Sequence, residues 1–476
     1  MERKPTVYPP LTDVYAENVV LMDGLLRVEE SFDLIKKPLK VGKDDVTLYY
    51  IDGFIKDTVM MKLMMSFLAL DGVTGTAAQF CATALPYVET DVADTTEALV
   101  QAVLAGSAVM LGSPFGAEGI IIDARTYPAR DTSEPEGDKV MRGARDGFVE
   151  TLIFNTALIR RRIRHPALTV SYISVGKSSR TDIAVCYMEG RADKALVDKV
   201  KSKLGSVRTD ALVMGHESLA EVLIKKRWYN PFPKIRYTER PDTAAAQLLE
   251  GSVLVICDTS PQVMILPTSI FDFMQETNDF YFPPLTGTYI RVVRHVVFWL
   301  TLFLTPTWYL LIRHPNLLPA WLSFIIPTDT GRIPIIAQLL LVEFMIDGLR
   351  MASLNTPSML SNSLSVVGGL ILGDFAVQIG WLIPEVILYM AFVAIANFTQ
   401  RSYELGYAFK FMRMGLLILT ALLGGWGYGA GLVGIVILLL TNVTVTGMRH
   451  YLYPLIPFDG KALKSLFFRV RKDKDS

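Results

Sequence analysis

The chain has 476 residues with 47 basic and 47 acidic side chains, so its net charge is zero, and its mean hydropathy is +0.34. That length allows two to four domains, and the charge balance speaks against nucleic acid as a partner, which selects for a basic excess. Three widely spaced cysteines (Cys81, Cys186, Cys257) and five histidines without an HExxH run argue against a disulfide framework and the common zinc motifs, and no cofactor motif stands in their place.

The start, Met-Glu-Arg-Lys followed by Pro and polar residues, has no apolar core of a signal peptide, so the N-terminal region is expected to stay in the cytoplasm. Thr47–Asp52 reads as a strand and Lys56–Leu70 as a helix. A helix near Thr95–Ala105 and strands at Ala108–Leu111 and Gly119–Asp123 follow. Thr126–Asp138, rich in Pro, Gly and Glu, reads as a loop. Beyond it the pattern predicts a long helix over Asp146–Arg162 and strands at Ala167–Ser174 and Thr181–Met188. Helices at Lys194–Leu204 and Ser218–Lys226 and strands at Ser252–Cys257 and Gln262–Leu266 complete the region. This is an α/β region in two subdomains, 1–139 and 140–288. It is expected to be non-catalytic: Ser113–Gly119 lacks the Lys-Ser/Thr of a phosphate loop and reads as a turn, and Asp123, Glu134, Glu136 and Asp146 face no paired base. Arg160–Arg164 reads either as an anion or lipid-headgroup contact or as the basic end of a helix stopped by Pro166.

Composition changes near residue 289. Residues 289–476 carry 15 basic and 9 acidic side chains, against 32 and 38 before them, which is half the charge density of about 25% usual in soluble domains. Apolar segments at Arg291–Ile312, Ile333–Gly348, Ser363–Gly380, Ile383–Phe398, Met412–Leu423 and Ala430–Val445 make residues 289–447 an α-helical polytopic membrane domain, several segments falling short of the ~20 residues of a full span. Six passes place Arg350, Arg401, Lys410, Arg413 and the basic tail (448–476) on the cytoplasmic side with the N-terminal region. Arg313 and Arg332 fall on the other side, which leaves four passes plus broken segments open. Leu463–Val470 alternates apolar and basic residues and is expected to lie on the inner membrane surface.

Charges inside apolar segments are the sharpest functional signal, because lipid makes them costly. Glu343, Asp347 and Arg350 stand at i, i+4 and i+7, within a ~60° arc of one helix. Two readings stand side by side: a pore lining repeated around an oligomer, or an Asp347–Arg350 ion pair at a helix end. Asp374 is a second candidate polar group. Gly369/Gly373, Gly425/Gly429 and Gly427/Gly431 have the GxxxG spacing that lets helices approach closely.

Glu134-Pro-Glu136, Arg142-Gly143, Arg145-Asp-Gly-Phe148, Asn155-Thr-Ala-Leu-Ile-Arg-Arg-Arg-Ile163, Val175-Gly-Lys-Ser-Ser-Arg-Thr181, Tyr187-Met-Glu-Gly190, Ser365–Gly373 and Ser402-Tyr-Glu-Leu405 together resemble the GerA family of bacterial spore-germination proteins, in order along nearly the whole chain. Tyr50-Ile-Asp-Gly53 and Ser402–Phe411 narrow the resemblance to one branch of it. The resemblance implies a cytoplasm-facing N-terminal region and a membrane domain in the spore inner membrane. It further implies a ring of identical subunits that forms an ion channel in germination, with membrane lipid and other germination membrane proteins as neighbours. It brings no nutrient pocket to this chain, because that site belongs to a separate subunit. Glu343-x-x-x-Asp347-x-x-Arg350 matches the family's acid–acid–Arg pattern, with Asp347 where Glu is expected. The competing expectation is a scaffold that clusters receptor components without conducting; a secondary transporter is weaker, for want of an inverted repeat.

Overall fold

The computed structural model describes residues 7–73, 75–85, 89–127, 143–224, 229–276, 278–355, 375–400, 402–445, 447 and 451–468. Of the sequence candidates, Asp374, Gly369 and Gly373 lie outside the described residues, as do Glu134, Glu136, Arg401, Arg449 and the end of the tail from Arg469.

The first elements are α1 (Tyr15–Leu26), β1 (Leu34–Val41), β2 (Asp44–Ile51), α2 (Asp57–Leu68), α3 (Ala77–Ala84), β3 (Glu89–Ala93), α4 (Thr96–Ala105), β4 (Ala108–Gly112) and β5 (Gly119–Asp123). Their strands form an antiparallel sheet in the order β1-β2-β4-β5-β3. Period-two alternation sorts the sheet's two faces. Tyr49 and Ile51 of β2 and Val109 and Leu111 of β4 join Met22, Leu26 and the α4 residues Leu99, Val100 and Val103. Val46, Leu48 and Met110 join Met60, Leu63, Phe67 and Phe80 of α2 and α3 on the other side. The β1–β2 turn is set by Gly42 at φ +60°, where a Cβ would stand 1.9 Å from the Asp71 carbonyl oxygen, so only glycine fits.

The chain then runs through the same plan again: α5 (Leu152–Arg162), β6 (Leu168–Val175), β7 (Thr181–Met188), α6 (Lys194–Gly205), α7 (His216–Leu223), β8 (Arg236–Thr238), α8 (Pro241–Leu249), β9 (Val253–Cys257) and β10 (Val263–Leu266). The second sheet is ordered β6-β7-β9-β10-β8, antiparallel throughout, so helix, hairpin, two helices, edge strand, helix and strand pair recur in one order. Leu254, Ile256, Ala184 and Cys186 pack on Leu152, Leu158, Ile159, Ala244 and Leu248 of α5 and α8. The helix predicted from Asp146 starts only at Leu152. Upstream, Asn155 folds back to accept from Val149 N (2.8 Å) and donate to Val149 O (2.6 Å), and Phe148 N donates to Glu239 O (2.8 Å), which holds the segment extended.

Met1–Lys226 with Ile235–Pro267 make one compact unit, and Thr268–Ser476 with Arg227–Lys234 make a second, helical one. The second contains α9 (Asn278–Tyr281), α10 (Pro284–Arg313), α11 (Ile335–Asn355), α12 (Pro384–Phe398), α13 (Tyr403–Leu423), α14 (Gly425–Leu440) and α15 (Gly460–Phe467). Helices α10 and α13 are long and apolar enough to cross a membrane, while α12 and α14 are apolar but shorter. Pro384 begins α12 and Glu385 lies in its first turn, where the missing N–H and the negative charge both suit a helix start. Helix α13 starts nine residues before the predicted apolar segment, at the Ser402 cap, whose hydroxyl accepts from Leu405 N (3.2 Å). That earlier start brings Lys410 into the helix beside Arg413, which already lay inside the predicted segment, so neither serves as a loop charge in the orientation argument. In α15, Leu466 is buried in the helical core and the Phe467 ring lies 4.9 Å from that of His295 on α10.

Candidate functional site

Helix α11 carries Glu343, Asp347 and Arg350 on one face, and α13 presents Lys410 and Arg413, one turn apart, to two of them. Arg413 Nη2 donates to both oxygens of Glu343, at 2.6 and 2.8 Å, and Lys410 Nζ stands 3.5 Å from Glu343 Oε1. Lys410 also donates to Asp347. The side chains of Glu343, Lys410 and Arg413 are 8%, 6% and 3% exposed, so their charges are met by each other rather than by water; Asp347, at 29%, keeps one side open.

The cluster reaches a third helix. Arg413 Nη1 donates to the Thr301 carbonyl of α10 at 2.7 Å, and the Thr301 hydroxyl accepts from Gln400 Nε2 at 3.3 Å. Pro306, one and a half turns on, lacks the N–H that would bond the Leu302 carbonyl, so the ladder of α10 misses a rung just after the residue where Arg413 docks.

Arg350 does not form the predicted pair with Asp347. Its guanidinium carbon lies 4.8 Å from the Phe398 ring centre and 5.5 Å from that of Tyr407, a cation–π seat that takes the side chain away from the acids. Asp347 is held by Lys410 instead, because α13 brings an ammonium closer than the next turn of its own helix does. The sequence showed the acid face but not its partners. Their only signal was two cations at i, i+3 beside an apolar run, and that pattern reads equally well as a loop flank.

The glycine pairs divide. A Cβ on Gly427 would stand 1.9 Å from Leu419 O, and one on Gly431 2.5 Å from Leu416 Cδ1, so this pair packs α14 against α13 within one chain. Gly425 and Gly429 face open space.

In the first unit, the arginine run ends α5, and each member has a protein partner. Arg160 is fully buried, with Nε 2.9 Å and Nη2 3.0 Å from the two oxygens of Asp33, and it also donates to Ser31 Oγ and Leu168 O. Arg162 binds Asp146 at 2.6 Å, and Arg161 lies 4.5 Å over the Tyr127 ring. Asp123 pairs with Arg125, which holds its carboxyl below the usual range. Ser113–Phe115 forms a 3₁₀ turn whose Phe115 enters the core, as a structural turn requires. A serine–histidine contact that the sequence did not reveal, His216 Nδ1 to Ser260 Oγ at 2.5 Å, is built on a serine 2% exposed whose oxygen also meets Gln262 N, so it serves packing. Burial pushes the Cys257 thiol up to about 12 and that of Cys186 higher still, which makes both poor nucleophiles. Among the described residues no group of acidic, histidine or cysteine side chains is arranged to hold a metal ion.

Known proteins resemble this chain along its whole length. The family described as Bacillus/Clostridium GerA spore germination protein matches residues 25–475. Stage V sporulation protein AF of Bacillus subtilis (strain 168) is 37% identical over an alignment of 480 positions that covers 99% of this chain and 94% of that protein. Spore germination protein KA of the same organism is 28% identical, with 93% and 82% covered. Among solved structures, the N-terminal domain of the A subunit of the Bacillus megaterium spore germinant receptor GerK3 aligns with 54% of this chain and 96% of its own, at 21% identity and a TM-score of 0.41. With a family match from residue 25 to 475 over an α/β unit and an apolar helical unit, the chain belongs to the GerA family of spore-germination proteins.

Proposed function

We propose that the chain is a subunit of a homo-oligomeric, cation-conducting assembly in the spore inner membrane, acting beside other germination membrane proteins, with its N-terminal unit on the cytoplasmic side. One observation carries the reading: the Glu343, Asp347, Lys410 and Arg413 network lies between helices that are otherwise apolar. Helices pack in lipid without such groups, through glycines such as Gly427 and Gly431, so charges that lipid makes costly are held there for a task. The membrane part of the reading rests on α10 and α13 and on large apolar side chains facing outward, among them Val296, Leu422, Trp426 and Val436.

In this arrangement the carboxylates are neutralised by cations of their own chain, which fits a closed state. Sliding α13 away from α11 would free Glu343 and Asp347, and a ring of freed carboxylates in a narrow passage favours cations. A second reading, a non-conducting scaffold that clusters receptor components, draws on the same pairing, since a purely structural network would also meet each charge within one chain.

Flux through the full chain in liposomes separates the two. Conduction is expected, with a cation preference that falls in Glu343→Gln/Asp347→Asn while the oligomer stays intact, as read from reversal potentials. An intact oligomer with no flux above that of empty liposomes would leave the scaffold reading in the lead. Loss of assembly in the double variant, at the ~3–5 kcal/mol of a broken buried pair, would assign the network a structural role.

A further inference from the structure

The two sheets of the first unit share one connectivity, but one link differs. In the first copy α3 passes to the edge strand β3 through residues 85–88. In the second copy the equivalent link from α7 to β8 is residues 224–235, and the chain uses it to enter the helical unit as Arg227–Lys234 and return. A solvent loop of that length would cost little in closure entropy and would need no anchors. This one is anchored. Asn230 Nδ2 donates to Leu438 O near the end of α14 at 3.1 Å, and its Oδ1 accepts from Phe232 N at 3.1 Å. The Phe232 ring is buried and meets Phe409 of α13 edge-on at 6.2 Å and Tyr451 at 6.4 Å. Pro231 and Pro233 bracket it, each with a fixed φ and no N–H, so the segment is short of ways to absorb a displacement.

The segment joins one strand of the first unit to one helix of the second. Downstream, after buried Ile235, the chain becomes β8, a three-residue edge strand paired with Val263–Ile265 of β10, and Tyr237 on it contacts the His216 ring of α7 at 5.1 Å. Upstream in effect, Phe409 is the neighbour of Lys410 and lies one turn before Arg413, the two cations that hold Glu343 and Asp347.

We propose that residues 229–234 are a coupling strap: a shift of edge strand β8 is passed through Phe232 to Phe409 and so to the α13 cations. The role of the strap in gating rests on the channel reading above, whereas the coupling of β8 to α13 does not.

Hydrogen exchange on the full chain in detergent tests the coupling directly. Tyr237→Ala, a change in β8, is expected to speed exchange at Phe409–Arg413 by more than about tenfold, and Phe232→Ala to speed it at both Phe409–Arg413 and Arg236–Thr238. Val213→Ala, at a residue 84% exposed on the same unit, should change neither. If Phe232→Ala does not assemble, Phe232→Leu keeps the apolar bulk, loses the ring contacts and should give the same pattern more weakly. Exchange at Phe409–Arg413 that ignores Tyr237→Ala overturns the strap, whatever the flux. Coupled exchange in a protein that conducts in no variant would keep the strap and sink the channel reading alone.

Discussion

At the scale of single residues, two buried arginines show how charge is used in the two units. Arg160 has every donor direction answered at one place: both Asp33 oxygens, Ser31 Oγ and Leu168 O. Ser31 in turn accepts from Val170 N and Phe32 N donates to Val170 O, so residues 31–33 run along β6 and tie the first half of the unit to the second. Removing only one partner leaves a charge stranded without water. Asp33→Asn should therefore destabilise the unit by about 3–5 kcal/mol, and Asp33→Leu combined with Arg160→Met by less than that, read from denaturant unfolding followed by circular dichroism. Equal losses in the single and the double variant would mean that the carbonyl of Leu168, not the charge, dominates. Arg413 differs, since its Nε finds no hydrogen-bond partner among the described groups. An incompletely answered network is the one more readily rearranged.

Elements succeed or fail on their ends and contact faces. Gly424, at φ +61°, closes α13 and opens α14, so the two helices fold back on each other with no intervening loop. Close approach then rests on Gly427 and Gly431, where an added methyl meets a backbone oxygen or a leucine. Gly427→Ala is expected to lower stability by roughly 1–3 kcal/mol, because the atom it strikes is main chain and cannot rotate away. Gly429→Ala, with nothing within 4 Å, should be neutral or slightly stabilising through helix propensity. Thermal unfolding in detergent compares them, and similar losses at both sites would contradict the packing described. The GxxxG spacing in the sequence could not rank these pairs, because it repeats every two residues from Gly425 and the helix rotates each pair to a different face.

For the whole molecule, the cores of the α/β unit contain, among the described residues, none after Leu266, so this unit holds its own apolar interior. A chain of residues 7–267 with 227–234 replaced by a short Gly/Ser linker is expected to unfold in one cooperative transition without the helical unit, seen by near-ultraviolet circular dichroism against denaturant. A fragment with native secondary structure but no cooperative transition would show that the strap's anchor in the helical unit is needed for the α/β fold. Local pattern was enough for much of what the protein is. Short apolar or alternating runs marked β2, β4, β5, β6, β7, β9 and β10, the fall in charge near residue 289 marked the helical part, and the acids of α11 marked the candidate site, because each depends on neighbours a few residues apart. Elements with mixed faces were missed. β1 carries three lysines and a proline, and β8 has only three residues, so neither shows a period. Contacts between distant residues decided the rest: the recurrence of one connectivity in two sheets, the Asp33–Arg160 joint, the α13 cations on Glu343 and Asp347, and the return of the chain through Phe232. A sheet order, a buried ion pair and a strap are each defined by which segments meet, and that is settled by burial and charge satisfaction in three dimensions, which one-dimensional spacing does not encode.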